Sequence, residues 1–467
     1  MARSVSTIVQ SMISYIRGKF SSADVTEGSI LHDVVITAPA RVISQVYSDL
    51  DVASLGQSII TASDVQLDTL GRNVGIVRKA ARPARGTITF YRNAAPPFDV
   101  VVSVGTVVST TSSNTSPGIQ FQTLRTVTMY ASLAGLYLNP VTGRYEISTD
   151  IIASLPGLDG IVGSNTISLI STPVSGIDGC YNALATAYGA DQESFVSLQN
   201  RIGARVTGNV IGTEDGYLSI VTANSAVDDA VVVAHGLTGR DTLGAIDIYV
   251  KGRSPVTQTD VFTFLTQDMI FSKQPTISGS VVSVQSSSSG SLSSTLWQQV
   301  VDTGLYRGSI NALDTLHWPT VLDSTYGIIY VTYSYNALIE QLQTLFSQTN
   351  KDVLDTSVLV KWAQELLIDV TMNLKVTEGF DSTVVTDAVT TEIALFLSSL
   401  SIGQELQQAD VARVALNVAG VDDIQLPFTT FQSSDSSVVP NTFGNLVIPS
   451  YAYALAGTIT VNIVAVT

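Results

Sequence analysis

The sequence is short of charge. Only 13% of its 467 residues are Asp, Glu, Lys or Arg, against roughly 25% in an ordinary soluble domain. What charge there is leans acidic, to a formal net of −16, and Lys and Arg nowhere cluster. Binding DNA or RNA needs a basic footprint that displaces counterions from phosphates, so nucleic acid is excluded as a direct ligand. The single cysteine, Cys180, rules out an intramolecular disulfide framework. Long apolar runs are missing too: Ala230 to Ala234 is among the longest, far below the roughly 18 residues of a membrane helix. The stretch from Met1 to Thr7 is broken by polar residues and does not read as a signal peptide. These absences predict a protein made in a cytosol, with no membrane insertion.

Histidine is equally scarce. His32, His235 and His317 are scattered without metal-ligand spacing, and no His-Glu-x-x-His or Cys/His cluster occurs, so no metal is expected. No Gly-x-Ser-x-Gly elbow, phosphate-binding glycine loop or dinucleotide fingerprint stands in the context it requires, so no cofactor is expected either. The best candidate for catalysis is the carboxylate pair Asp191 and Glu193, since glycosidases work with two carboxylates roughly 5 to 9 Å apart. These acids directly precede a predicted helix, however, where they would cap free amides and complement the helix dipole. Asp410 and the Asp422-Asp423 pair read in the same way, as caps and turn formers. Trp297, Trp318 and Trp362, with Tyr188, could form sugar-stacking platforms but read better as core. The expectation is no catalytic residue and no enzyme.

What fills the gap left by charge is Ser, Thr, Val, Ala and Gly, within a chain that is 45% hydrophobic. That mixture suits β-structure and surfaces buried against other chains. The length predicts about two to four modules. The pattern along the chain is α+β and multidomain.

Residues 1–85 read as an N-terminal helical, bundle-forming domain. Ile8, Met12, Ile13 and Ile16 sit at helical spacing before Gly18. Ile30, Val34, Ala38, Val42, Val46 and Leu50 then recur every four residues, predicting a helix of about 25 residues, roughly 38 Å long. Pro39 should bend it, because proline cannot donate to the carbonyl four residues earlier. A short helix from Asp64 to Leu70 is predicted to end at Gly71. The wide stripe can be covered by neighbouring helices of the same chain or by helices of other chains. Ile30, Val34, Val42, Val46 and Leu50 are therefore candidate interface residues, together with Leu338, Leu342 and Leu345 on one face of a helix predicted from Ala337 to Phe346.

The period changes to alternation at Gly86. Residues 86–180 read as a β-rich domain and 181–251 as an α+β domain, with helices over 192–208 and 213–225 and strands at Ala230 to Val233 and Ala245 to Val250. Residues 252–334 are Ser/Thr-rich and read as an inserted β domain, with Ser286 to Gly290 as a flexible loop tip. Residues 335–430 form a C-terminal α+β interaction unit: a strand from Leu367 to Val376 and helices from Ser382 to Leu400 and Gln408 to Val418. Residues 431–467 close with a β-hairpin of Asn445 to Ile448 and Gly457 to Val464.

The order of these segments resembles the baseplate J-like family. Thr26-Glu27-Gly28-Ser29-Ile30-Leu31-His32-Asp33 is similar to that family's turn into its long helix, and Asp68-Thr69-Leu70-Gly71-Arg72-Asn73-Val74-Gly75-Ile76 to the segment after it. Pro83 to Phe90, Gly105-Thr106, Gly118 to Thr123 and Gly157-Leu158-Asp159-Gly160 with Gly163-Ser164-Asn165 resemble the strands and turns of its β domain. Gly189-Ala190-Asp191-Gln192-Glu193-Ser194, followed by Arg201-Ile202, resembles a turn that normally carries two adjacent glycines; Ala190 replaces the second. Val358 to Lys361, the Gly379 to Leu400 helix and Val421-Asp422-Asp423-Ile424 resemble the C-terminal unit. The shared order spans residues 26 to 426, except roughly 252 to 334.

The resemblance implies a structural wedge subunit in the baseplate of a contractile phage tail. Its partners would be other copies of itself and a different wedge subunit, joined in a helical bundle. The ring they form would meet the central hub and spike and the sheath-proximal baseplate proteins, holding and then triggering sheath contraction. The location implied is the virion's tail baseplate, assembled in the host cytoplasm. Two other readings stay open: a host-surface-binding or glycan-degrading tail protein, suggested by the Ser/Thr-rich insert, and the homologous subunit of a non-phage contractile injection system.

Overall fold

The computed structural model describes residues 3–112, 118–207, 212–234, 244–263, 266–277, 280–281, 283–292, 296–300, 314–318, 324–346 and 356–464. The chain divides into two compact units. The first is Met1–Arg78 with Ser194–Asn209; the second is Lys79–Glu193 with Val210–Thr467.

The first unit is helical. Helix α1 (Val5–Lys19) starts where Ser4 Oγ accepts from the Thr7 amide at 3.2 Å, satisfying one of the free donors of the first turn. The predicted long helix is two pieces: a π-helical turn (Leu31–Thr37) that runs on into α2 (Ala38–Leu55). Pro39 lies in the first turn of α2, directly after the π turn, and has no amide to donate back into it. Its ring would clash with a carbonyl four residues back in an α-helix, and the wider π turn relieves that conflict. Ile8, Val9 and Ile13 of α1 pack on Ile36 and Ala40.

Helix α3 (Asp64–Asn73) outlasts its predicted end, and Gly71 sits inside it. A Cβ there would lie 2.9 Å from the Ile76 carbonyl oxygen and 3.2 Å from Ile202 Cδ1, so the glycine permits close packing rather than stopping the helix. Ile202 belongs to α4 (Phe195–Thr207), which packs with Leu67, Ile76 and Leu198 in a small core of this unit. The predicted 181–251 domain is thus divided: its first helix belongs with the N-terminal helices.

The second unit opens with β1 (Arg85–Arg92), β2 (Val100–Val102), β3 (Val107–Thr110), β4 (Gln120–Thr123), β5 (Val127–Met129), β6 (Tyr145–Ala153), β7 (Ile167–Ile170) and β8 (Gly179–Tyr181). Among the described residues these form an antiparallel six-stranded sheet, β7-β3-β4-β6-β1-β8, with β2 and β5 paired apart. Next come α5 (Glu214–Thr222), β9 (Val227–Val233) and β10 (Ala245–Gly252).

The insert follows as β11 (Pro255–Phe262), β12 (Asp268–Ile270), β13 (Ser283–Ser286), β14 (Gly290–Ser291), β15 (Gln298–Val300), β16 (Thr315–His317) and β17 (Ile329–Asn336). It has two small sheets, β11-β17-β13-β14 and β12-β16-β15, and a core of its own around Phe271, Leu316, Trp318 and Tyr333. The serine run is not a free tip. It is the tight turn joining β13 to β14, where Ser286 Oγ accepts from the amides of Ser288 and Ser289 at 3.1 and 3.0 Å.

The chain then returns through α6 (Ala337–Phe346) and β18 (Ser357–Trp362), which pairs parallel with β10. Leu338 and Leu342 are fully buried against Tyr217, Val221 and Ile248, with Leu345 packed at the margin. Leu338 and Leu342 are corrected from candidate interface to core, and Leu345 is half-buried at its edge. Their helical period was legible, but the surface covering them is this chain's own β9–β10–β18 sheet with α5.

The last part is built on β19 (Gln364–Val376), whose residues alternate between buried and half-buried along most of its length. Leu366, Ile368, Val370, Met372 and Leu374 enter a core shared with Ile88, Phe90 and Phe121 of the first sheet. Helices α7 (Ser382–Ser399) and α8 (Gln408–Leu416) precede β20 (Val421–Ile424), β21 (Thr430–Ser433) and β22 (Ala452–Ile463). The predicted closing hairpin is not formed. Asn445 to Ile448 is no strand, Leu446 making only isolated bridges to Leu406 and Pro440. Strand β22 instead runs parallel to β19, from Gln364 opposite Ala452 to Leu374 opposite Ile463. A central strand buried on its inner face needs a partner on each edge; β20 and β21 take one edge and β22 the other.

Candidate functional site

The chain presents two places where function could reside, an uncovered apolar helix face in the first unit and a polar junction inside the second.

Helix α2 has two unlike faces. Ala40, Ile43 and Tyr47 turn toward α1. Ile30, Val34, Val42, Val46 and Leu50 turn away and are between 52% and 80% exposed. Val52 and Leu55, nearer the helix end, are exposed as well. In an α-helix, positions four apart advance about 40° beyond one full turn, so a four-residue repeat drifts around the helix. The π turn before Ala38 has the opposite sense of drift, because its turn is wider. The two drifts offset, and the stripe from Ile30 to Leu50 keeps to one side. Large apolar patches on a helix mark interaction surfaces. Beside its start, His32 Nδ1 lies 2.7 Å from Asp33 Oδ1; that hydrogen bond, with the Gly28 amide, holds the Asp33 carboxyl below its usual value. His235 lies outside the described residues, and His317 pairs with Asp268 at 2.6 Å within the insert.

The polar junction gathers around Arg253, between β10 and β11. Its Nη2 donates to the Tyr188 hydroxyl at 2.6 Å and to Glu365 Oε1 at 2.8 Å. The Tyr453 hydroxyl donates to the same Glu365 oxygen at 3.0 Å. The guanidinium lies 3.6 Å from the Tyr188 ring centre and 5.5 Å from that of Trp362, close enough for cation–π attraction. Burial alone would push the Glu365 carboxyl up, but the charge of Arg253 and hydrogen bonds from Arg253, Tyr188 and Tyr453 outweigh it and hold it below the usual value. Tyr188 has φ of +67°, a conformation costing a non-glycine residue about 1–3 kcal/mol and kept only where the surroundings hold it.

Lys251, two residues earlier, donates to the carbonyls of Ser398 and Leu400 at 2.9 Å each, so a cation closes the C-terminal end of α7. Burial lowers its amine, opposed by Asp228 and Asp229. A cleft of about 700 Å³ opens beside these groups, lined by Arg82, Asp228, Asp229, Lys251, Glu392 and Ser399 among others.

The carboxylate pair singled out in the sequence does not cap α4. Asp191 Oδ1 accepts from the Leu158 amide at 2.9 Å and Glu193 Oε2 from the Lys79 amide at 3.0 Å. They tie two loops together, while Ser194 caps α4 through the Ser197 amide. The substitution at Ala190 also fits: the left-handed residue of this turn is Tyr188, and Gly189 is required because a Cβ would come 2.6 Å from the Gly157 carbonyl oxygen. Trp318 and Trp362 are buried and Trp297 is packed against the insert core, so none is a free platform. Asp410 pairs with Arg413 and Asp422 with Lys375, at 3.0 and 2.7 Å. Sequence reasoning missed Arg253, Glu365 and Tyr453, since isolated charges in strands carry no motif.

The segment from the middle of β19 to the end of β22 is the part of the chain that matches a known family. Residues 368–462 match the family model described as "Baseplate J-like protein C-terminal domain". The resemblance to baseplate J-like proteins is thereby shown for this unit. In the baseplate J-like unit, the matched residues are the central strand, the two helices packed on it and the parallel last strand. The match supports a structural baseplate subunit, part of a tail-like particle. No curated protein matches the chain. Among solved structures, the chain is similar to one in the cryo-EM structure of the anti-feeding prophage (AFP) baseplate, 6-fold symmetrised, at 9% identity over 98% of each chain. The TM-score is 0.31, too loose a likeness to carry an argument. Among the described residues no helix is long and apolar enough to cross a membrane and no group of acids, His and Cys could hold a metal.

Proposed function

We propose that the protein is a wedge subunit of a contractile-tail baseplate, a load-bearing part and not an enzyme. The observation that carries the wedge role is the uncovered stripe from Ile30 to Leu50 on a helix whose other face is already packed. The partners are other copies of this chain and a different wedge subunit, which bury that stripe in a shared bundle. The ring so formed meets the hub, the spike and the sheath-proximal proteins in the virion, after assembly in the host cytoplasm. Its mechanism is a switch between two packed arrangements, which interfaces support because packing is bistable. The non-enzymatic reading is supported by Asp191 and Glu193, whose side chains are engaged with backbone amides.

The test is co-expression with the neighbouring tail genes, followed by size-exclusion chromatography with light scattering. A complex containing more than one copy of this chain and a second tail protein is expected. A monomer that ignores every tail protein supplied would refute the proposal.

A further inference from the structure

The insert is tied to the rest of its unit at a narrow root. Strand β10 leaves the three-stranded sheet at Gly252 and β11 begins at Pro255, while β17 returns to Asn336. The two ends are stitched by one side chain: Asn336 Oδ1 accepts from the Ser254 amide at 2.9 Å and its Nδ2 donates to the Gly252 carbonyl at 3.0 Å. The Ala337 amide adds a bond to the Ser254 carbonyl at 3.0 Å. Gly252 has φ of +156°, which L side chains rarely adopt, and a Cβ there would strike the Ala226 carbonyl oxygen. The root is therefore confined on both sides, and Arg253 is its central residue.

From that position Arg253 reaches three separate pieces of chain. It grips Tyr188 in the strained turn after the first sheet, Glu365 near the start of β19, and through Glu365 the hydroxyl of Tyr453 in β22. The strands β19 and β22 are the parallel pair at the centre of the baseplate J-like unit. A displacement of the insert moves the root, and the root carries a guanidinium bonded to the turn, to β19 and, through Glu365, to β22.

We propose that Arg253 is a conformational relay: it couples the state of the inserted β domain to the Tyr188 turn and to the β19–β22 pair. The inference does not depend on the helical bundle and would hold for any partner of the insert. A part that senses contact on one domain and shifts packing in another needs such a link, with discrete alternative partners for its polar groups.

Hydrogen exchange on the full chain tests it. Trp318→Ala loosens the insert, because Trp318 is buried in the core of that domain alone. With Arg253 present, that change is expected to speed exchange about tenfold in peptides covering 186–190, 364–367 and 452–455, leaving β3, which pairs with β4 and β7, unchanged. In an Arg253→Gln background the same change should have less than about a third of that effect. Glu365→Gln, which keeps the shape and removes the charge, gives a second background with the same expectation if Arg253→Gln fails to fold. The relay is overturned if the distant peptides ignore Trp318→Ala, if they respond equally in all backgrounds, or if β3 loosens with them.

Discussion

Lys361 and Asp247 form an ion pair at 2.6 Å in which neither side chain has any exposed surface. They stand on adjacent parallel strands, Lys361 opposite Tyr249 and Asp247 opposite Leu359, and the ammonium lies 5.4 Å from the Tyr249 ring centre. Desolvating two charges consumes most of what their attraction returns. The pair is therefore expected to fix register between β10 and β18 more than it adds stability.

Removing one partner leaves the other charge buried. Asp247→Asn should cost about 3–5 kcal/mol, read as a drop in the urea midpoint with an unchanged slope. Replacing both, as Asp247→Leu with Lys361→Met, should restore most of the loss. A double variant no more stable than the single would show that shape, and not charge, sets this site.

Much of the fold was legible because it is local. Helix α6 runs from Ala337 to Phe346 as its leucine spacing predicts, and β19 shows its alternation openly. What covers a face is not local. Leu338 and Val42 have the same helical period, yet one is fully buried and the other 66% exposed. Pairing across distance is hidden for the same reason, so β22 was matched to a neighbouring segment when its partner lies in β19, before two helices and two strands. The stripe's apolar period is legible in the sequence, though not whether this chain covers it; the junction of Arg253, Glu365, Tyr188 and Tyr453 is not, since only folding brings single residues from four places together.

That difference between Leu342 and Val42 gives a paired prediction. Leu342→Ala opens a cavity in a core and should destabilise the second unit by about 2–5 kcal/mol. Val42→Asp alters an exposed position, should leave thermal stability within about 0.5 kcal/mol, and should abolish wedge assembly in light scattering. Normal assembly of the Val42→Asp chain would remove the stripe from the interface.

The junction also sets an acid dependence. The Glu365 carboxyl is held below its usual value of 4.5 in the folded chain. Such a group contributes stability that is fully present above the unfolded value and is lost as pH falls through the folded one. Wild-type stability should therefore decline below pH 4.5, and Glu365→Gln should be less stable at neutral pH with a flatter decline. Unfolding by urea across a series of buffers checks this; parallel curves for the two chains would assign the acid dependence to other carboxyls.

The π turn offers the sharpest test of how the stripe works. If Pro39 is what forces the wide turn, Pro39→Ala should let Leu31–Thr37 relax to α-helix, since the ring that clashes is removed and the backbone amide is restored. Ile30 and Val34 would then rotate out of line with Val42 and Val46 while every stripe residue stays in place. Helicity by circular dichroism should rise or hold, and affinity for the wedge partner should fall about tenfold, a loss of about 1.4 kcal/mol. A composition-only view of the stripe expects no change in affinity, because no apolar side chain is removed. Unchanged binding together with a relaxed turn would therefore show that the partner reads the amount of apolar surface and not its alignment.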